Sequence, residues 1–144
     1  MITYSPLTIN LLPAFSAFFK KIISASKSPK GARVLIMGIT FKENVSDIRN
    51  SKVMDVIDEL LDFGVKVDVV DPKASRVEVN QEYGIVLEEA PKGIYDAVIV
   101  AVNHEEYAGL DDKYFSGLLE KNGIVVDIKG ILKDKIETYS YWSL

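Results

Sequence analysis

The densest set of chemically capable side chains begins at residue 38: G-I-T-F-K-E-N-V-S-D-I-R-N-S. It holds a lysine, an arginine, an aromatic ring and several small polar groups ahead of a helix start. That combination suits an anion joined to a flat ring. Lys42 offers a point charge, and Arg49 a fork that can grip a phosphate through two bonds. Phe41 offers a face for a base or sugar. Glu43 and Asp47 stand beside the two cations, so a second reading makes these residues solvated surface pairs of little energetic weight. The dinucleotide fingerprint G-x-G-x-x-G is not met, because Gly38 is the only glycine of the stretch. Without the other glycines the backbone cannot approach a pyrophosphate closely. No P-loop occurs.

Other candidates stand further along. His104 is the only histidine. It follows a buried-type strand and reads as structural, ligand-contacting or acid/base. A lone histidine is seldom a metal site, since metals need several ligands. Asp71 precedes Pro72, which marks it as a strand stop opening a turn rather than the ribose-binding acid of a dinucleotide site. Asp127 ends the last strand signal, where it could orient Lys42 or Lys129. Glu88-Glu89 and Asp111-Asp112 read as solvated pairs. No acid cluster follows the first strand, which argues against a phosphoacceptor receiver. The chain has no cysteine, which excludes disulfides, thiolate-zinc sites and a cysteine nucleophile.

The elements that must position these residues alternate in kind. Residues 33–38 form a short apolar run, as a strand covered on both faces requires. Val53, Ile57, Leu60 and Leu61 mark an amphipathic helix, with Gly64 just past its end. Further strands are expected at 65–70, 97–102 and 124–127, with a short one at 85–87. Helices are expected at 76–83 and 111–120, the latter stopped by Asn122-Gly123. Such alternation predicts an α/β, Rossmann-like or flavodoxin-like three-layer sandwich with a parallel sheet. Ligands of such sheets bind at the carboxyl ends of the strands. The segments there are the loop after Gly38, Asp71, Asn103-His104 and 127–129.

Residues 1–30 form a separate N-terminal segment, ahead of the main domain at 31–144. From 14 to 25, Phe15, Phe18, Phe19, Ile22 and Ile23 recur at helical spacing. Such a helix must pack on the domain or on another chain. Residues 1–19 carry no charged side chain, yet they lack a basic leader region and are broken by prolines and polar residues. This argues against a secretory signal or a membrane span. The formal net charge of −4 and pI of about 5.0 argue against nucleic acid as a partner.

The run from Gly38 to Lys52 resembles the signature that opens the C-terminal, UDP-binding domain of the UDP-glucose/GDP-mannose dehydrogenase family. The likeness continues at Val70-Asp71-Pro72, at 101–107 (A-V-N-H-E-E-Y), at 126–132 (V-D-I-K-G-I-L) and at Tyr141-Trp142. It covers about residues 16–144, and its wording is nearest the UDP-N-acetylhexosamine branch. The resemblance implies a UDP-sugar-binding domain of an NAD-dependent 6-dehydrogenase that oxidises the sugar C6 alcohol to a carboxylate for polysaccharide precursors. By motif position, Phe41 and Lys42 would contact the substrate near the uridine diphosphate. Arg49 falls in the same signature, in a binding or a structural role. Lys129 falls where the family places a basic residue that reaches nucleotide or sugar, and His104 joins the substrate-binding candidates. The family's NAD-binding fingerprint and catalytic cysteine have no counterpart here, so the chain alone is not expected to be active or to bind a cofactor. NAD would belong to the missing N-terminal domain of the full-length enzyme. The N-terminal helix would mediate a homodimer, and the cytoplasm would be its compartment. Two alternatives stay open: a structural or dimerisation remnant without ligand, and a domain for another nucleotide such as GDP.

Overall fold

The computed structural model describes residues 31–143. Five strands form one sheet: β1 (Arg33–Met37), β2 (Lys66–Val70), β3 (Tyr95–Val100), β4 (Leu119–Asp127) and β5 (Ser140–Ser143). All neighbours pair in parallel, in the order β2-β1-β3-β4-β5. This is the flavodoxin-like order, and its switch point lies between β1 and β3. The expected three-layer α/β sandwich with a parallel sheet is what the chain adopts. The helix expected at 14–25 lies outside the described residues.

The layers follow from the two-residue period of the strands. Val34, Ile36, Val69, Ile99 and Val126 face one way, into a core shared with α1 (Val53–Asp62) and α2 (Arg76–Tyr83). Leu35, Met37, Val98, Val100 and Val125 face the other way, onto Tyr107, Phe115, Leu132 and Ile136. α1 turns Val53, Val56, Ile57 and Leu60 onto the sheet, as their helical spacing dictates. Burying a side chain such as Leu60 contributes roughly 2 kcal/mol. The helix ends as its sequence predicts. Gly64 takes a φ of +83°, its N–H reaches the Leu61 carbonyl at 3.0 Å, and the Val65 N–H reaches Leu60 at 3.1 Å. Those paired bonds satisfy carbonyls that a bare helix end would leave open.

Three expectations need correction. The helix foreseen at 111–120 is only α3 (Asp112–Ser116). Asp111 caps it by accepting the Tyr114 N–H at 3.2 Å, but Leu119 already pairs with Tyr95 in the sheet. Phe115 and Leu119 are both buried, so their helical spacing reflects two elements that face one core. Residues 120–123 then bulge between the Tyr95–Leu119 and Ala97–Ile124 pairs. No strand forms at 85–87; an isolated bridge joins Val70 to Glu88, one residue beyond. Finally, the strand ending at Asp127 is not the last: Tyr141 and Trp142 lie on β5, an edge strand beside β4. Its mixed, half-exposed composition hides it from any pattern built on burial of both faces.

Candidate functional site

Three strand ends converge on Asp71. Its Oδ2 accepts the Ile39 N–H at 2.7 Å and the Thr40 N–H at 3.3 Å, both just past β1. Its Oδ1 accepts the N–H groups of Lys73 at 2.7 Å and Ala74 at 3.1 Å, turning the chain from β2 towards α2. From beyond β3, the His104 Nε2 lies 2.9 Å from Oδ2. Both side chains are 0% exposed. Asp71 is thus more than the strand stop its sequence context suggests. Its neighbour Pro72 announced the turn, but nothing in the sequence announced the reach to residues 39, 40 and 104.

Gly38 makes this convergence sterically possible. It has a φ of +103°, and a Cβ there would fall 2.6 Å from the Val102 Cβ and 2.9 Å from the Val102 nitrogen. Any other residue would push the β1 and β3 exits apart. Gly38 therefore serves close strand-to-strand packing rather than a pyrophosphate.

The two loops above the switch point are then stitched together. The His104 Nδ1 accepts the Asn44 N–H at 3.0 Å. The Asn44 Oδ1 accepts the Glu105 N–H at 2.8 Å. The Thr40 hydroxyl donates to the Lys42 carbonyl at 2.8 Å, and the Phe41 N–H donates to the Asp47 carbonyl at 2.7 Å. Lys73 bridges to Glu105 and Glu106, both at 3.2 Å, and these acids raise its pKa. Between these ties, Phe41 is 57% exposed and Lys42 is exposed beside it.

The remaining candidates separate. Lys129 is exposed in the turn after β4. That turn is held by Asp127, which accepts the N–H groups of Gly130 at 3.1 Å and Leu132 at 2.6 Å. The Tyr141 hydroxyl donates to the same carboxylate at 2.6 Å. Asp127 therefore holds backbone and a phenol, not a lysine ammonium as its position suggested. Arg49 points elsewhere. Its Nε and Nη2 make two bonds to Asp47, at 3.0 and 2.9 Å, while remaining 78% exposed. These bonds hold the Asp47 carboxyl down at about 2. The surface-pair reading thus describes Arg49. Arg49 also borders a cleft of about 480 Å³ whose wall carries Asp47, Glu78 and Glu82. Those acids make the cleft a poor seat for a diphosphate.

The residues of the first strand end do not fit a dinucleotide cofactor. Gly38 is occupied by its contact with Val102. Asp71, in the position of a ribose-binding acid, has both oxygens engaged by the protein. The Tyr107 hydroxyl is buried without a hydrogen-bond partner, and burial raises its pKa. Among the described residues no cluster of side chains could hold a metal ion, and no helix is long and apolar enough to cross a membrane.

Over residues 35–134 the chain matches the sequence model for the UDP-glucose/GDP-mannose dehydrogenase family, UDP binding domain. It is 41% identical over 105 residues to the UDP-N-acetyl-D-glucosamine 6-dehydrogenase of Pseudomonas aeruginosa, covering 72% of this chain and 25% of that one. The enzyme of the same name from Salmonella typhi is 39% identical over 114 residues, covering 78% of this chain and 27% of that one. Among solved structures, the UDP-N-acetyl-mannosamine dehydrogenase of Staphylococcus aureus superposes with a TM-score of 0.71 at 26% identity. That match covers 93% of this chain and 31% of that one. The chain thus spans about a quarter of the length of the curated relatives it matches. The matched span contains the β1 exit loop, Asp71, His104 and Asp127, the residues that build and brace the strand ends, and the chain belongs to the UDP-glucose/GDP-mannose dehydrogenase family, whose UDP-binding domain it carries.

Proposed function

We propose that this domain grips the nucleotide of a UDP-sugar for an NAD-dependent 6-dehydrogenase that oxidises the sugar C6 alcohol to a carboxylate. One observation carries the reading: Phe41 and Lys42 stand exposed on a braced loop at the β1/β3 switch point, inside the family match. Lys42 supplies positive charge for the diphosphate, and Phe41 an apolar face for the base or sugar. Lys129 approaches from the end of β4, two strand spacings or about 10 Å from β1. Arg49 braces the loop through Asp47, and His104 braces it from beneath.

Holding the remote nucleotide lets binding energy place the sugar C6 for chemistry performed elsewhere in the enzyme. In this reading NAD binds the other domain, the enzyme is a cytoplasmic homodimer, and its product feeds polysaccharide synthesis. The names of the curated relatives favour a UDP-N-acetylhexosamine as substrate.

Calorimetric titration with UDP, GDP and NAD tests the proposal. Saturable binding of UDP with little response to GDP or NAD is expected. Lys42→Ala should weaken UDP about tenfold, the cost of one charge-assisted bond. Equal UDP affinity in wild type and Lys42→Ala would remove Lys42 from the site. A folded chain that ignores UDP would overturn the reading in favour of a structural remnant.

A further inference from the structure

Residues 41–44 are exposed, yet Thr40 and Asn44, at the two ends of 41–43, are tied down by hydrogen bonds. Thr40 is 1% exposed, with its N–H on Asp71 at 3.3 Å and its hydroxyl oxygen 3.2 Å from the His104 Nε2. Asn44 gives its N–H to the Nδ1 of the same ring at 3.0 Å. One imidazole therefore holds both ends of the segment that presents Phe41 and Lys42. It does so from 60 residues away in sequence.

The bond directions assign the tautomer. Nδ1 receives an N–H, which only a ring nitrogen with a free lone pair can do. The ring proton is therefore on Nε2, where the Asp71 carboxylate accepts it and the Thr40 oxygen stands by. The Thr40 hydroxyl proton is directed to the Lys42 carbonyl at 2.8 Å, which leaves that oxygen able to accept. The Asn44 backbone has a φ of +59°, a left-handed conformation uncommon outside glycine. Two bonds across the loops hold it there, one through its N–H and one through its Oδ1 to the Glu105 N–H at 2.8 Å.

We propose that His104 is a positioning residue for the nucleotide site: as the neutral Nε2–H tautomer it sets residues 40–44, and so aims Phe41 and Lys42 before any ligand arrives. This inference rests on reading Phe41 and Lys42 as ligand contacts. A loop set in its binding conformation binds without the entropic cost of ordering it. His104 acts through Asn44 and Thr40 and has no exposed surface of its own.

Two conservative variants split the ring's bonds. In His104→Gln the side-chain amide reaches the position of Nε2 and can still donate to Asp71, but the acceptor for Asn44 is lost. In His104→Asn the side-chain oxygen stands near Nδ1 and can accept from Asn44, but Asp71 loses a donor. The full chain of each is compared with wild type by thermal melting, by amide hydrogen exchange at Asn44, and by calorimetry with UDP. His104→Gln should melt close to wild type yet lose Asn44 protection and bind UDP about five- to tenfold more weakly, as expected for one lost hydrogen bond. His104→Asn should melt lower but keep Asn44 protection and most of its UDP affinity. A purely structural histidine gives the reverse order, with affinity following melting temperature, and that order overturns the proposal. Unchanged Asn44 exchange in His104→Gln overturns it as well, whatever UDP does. If wild type ignores UDP while the exchange pattern holds, the nucleotide reading fails and the brace itself stands.

Discussion

Asp71 closes β2 and Asp127 closes β4, and each is a buried carboxylate that accepts backbone N–H groups from the turn that follows. Each turn or loop so held carries a candidate cation, Lys42 near Asp71 and Lys129 near Asp127. The two differ in reach. The bonds of Asp127 go to residues 3, 5 and 14 positions away. Asp71 adds bonds to residues 31, 32 and 33 positions away, on both sides of it in the chain. Asp127 therefore shapes a local turn and pins an edge strand. Asp71 ties together the exits of three strands at the switch point of the sheet.

Because of that difference in reach, removing the two carboxylates should have unequal consequences. Asp71→Ala strands donors from three chain segments and should cost roughly 4 kcal/mol of stability, the largest effect foreseen. It should also reduce UDP affinity by more than tenfold, because the loop bearing Lys42 loses its anchor. Asp127→Ala should cost roughly 3 kcal/mol and act on UDP only through Lys129. Urea unfolding and UDP calorimetry on both variants would settle the ranking; equal losses of affinity would mean that the switch point is no more demanding than the edge.

A smaller effect isolates the edge. Tyr141→Phe removes the phenol bond to Asp127 and should cost about 1 kcal/mol near neutral pH. Burial, and then the bond to the Asp127 carboxylate, raise the Tyr141 pKa above its ordinary value. The native phenol thus keeps its proton at a pH where the unfolded one, near 10, has lost it. Its contribution is complete below about pH 10 and is lost as pH rises further. The stability gap between wild type and Tyr141→Phe should therefore shrink above about pH 10. A gap independent of pH would detach the phenol from Asp127.

The smallest effect probes the surroundings of Asp71. The Tyr107 ring lies 5.7 Å from the His104 ring, and its hydroxyl is buried without a partner. Tyr107→Phe should leave stability unchanged or raise it by about 1 kcal/mol, since no bond is lost and a desolvated group is removed. Measured destabilisation beyond that would reveal a bond from this hydroxyl into the Asp71 cluster.

Much of the architecture was legible in the chain. The runs at 33–38, 65–70 and 97–102 are apolar because a parallel strand is covered on both faces, and that signal is strong and local. The Schellman end of α1 was legible in Gly64, because few residues accept a positive φ. What failed were elements whose composition reports two duties at once. Phe115 and Leu119 share a core from different elements, so their spacing imitates one helix. β5 is an edge strand with only partial burial, so it carries no clear period. In the site, the sequence order foretold that Phe41 and Lys42 would stand in the loop after β1, where both are exposed. Arg49 was read both ways, and only its geometry with Asp47 chose the surface pair.

By itself the sequence determined the residue types available at each strand end, the α/β class and the family, because apolar period, glycine placement and motif order are properties of neighbouring residues. The tertiary structure decided which of those residues meet. The strand order β2-β1-β3-β4-β5 brings residues 38–44, 71 and 104 to one place. Hydrogen bonds need their partners within about 3 Å, a condition that linear spacing cannot state for groups 60 residues apart. That is why the roles of Asp71 and His104 emerge only when the sheet is assembled.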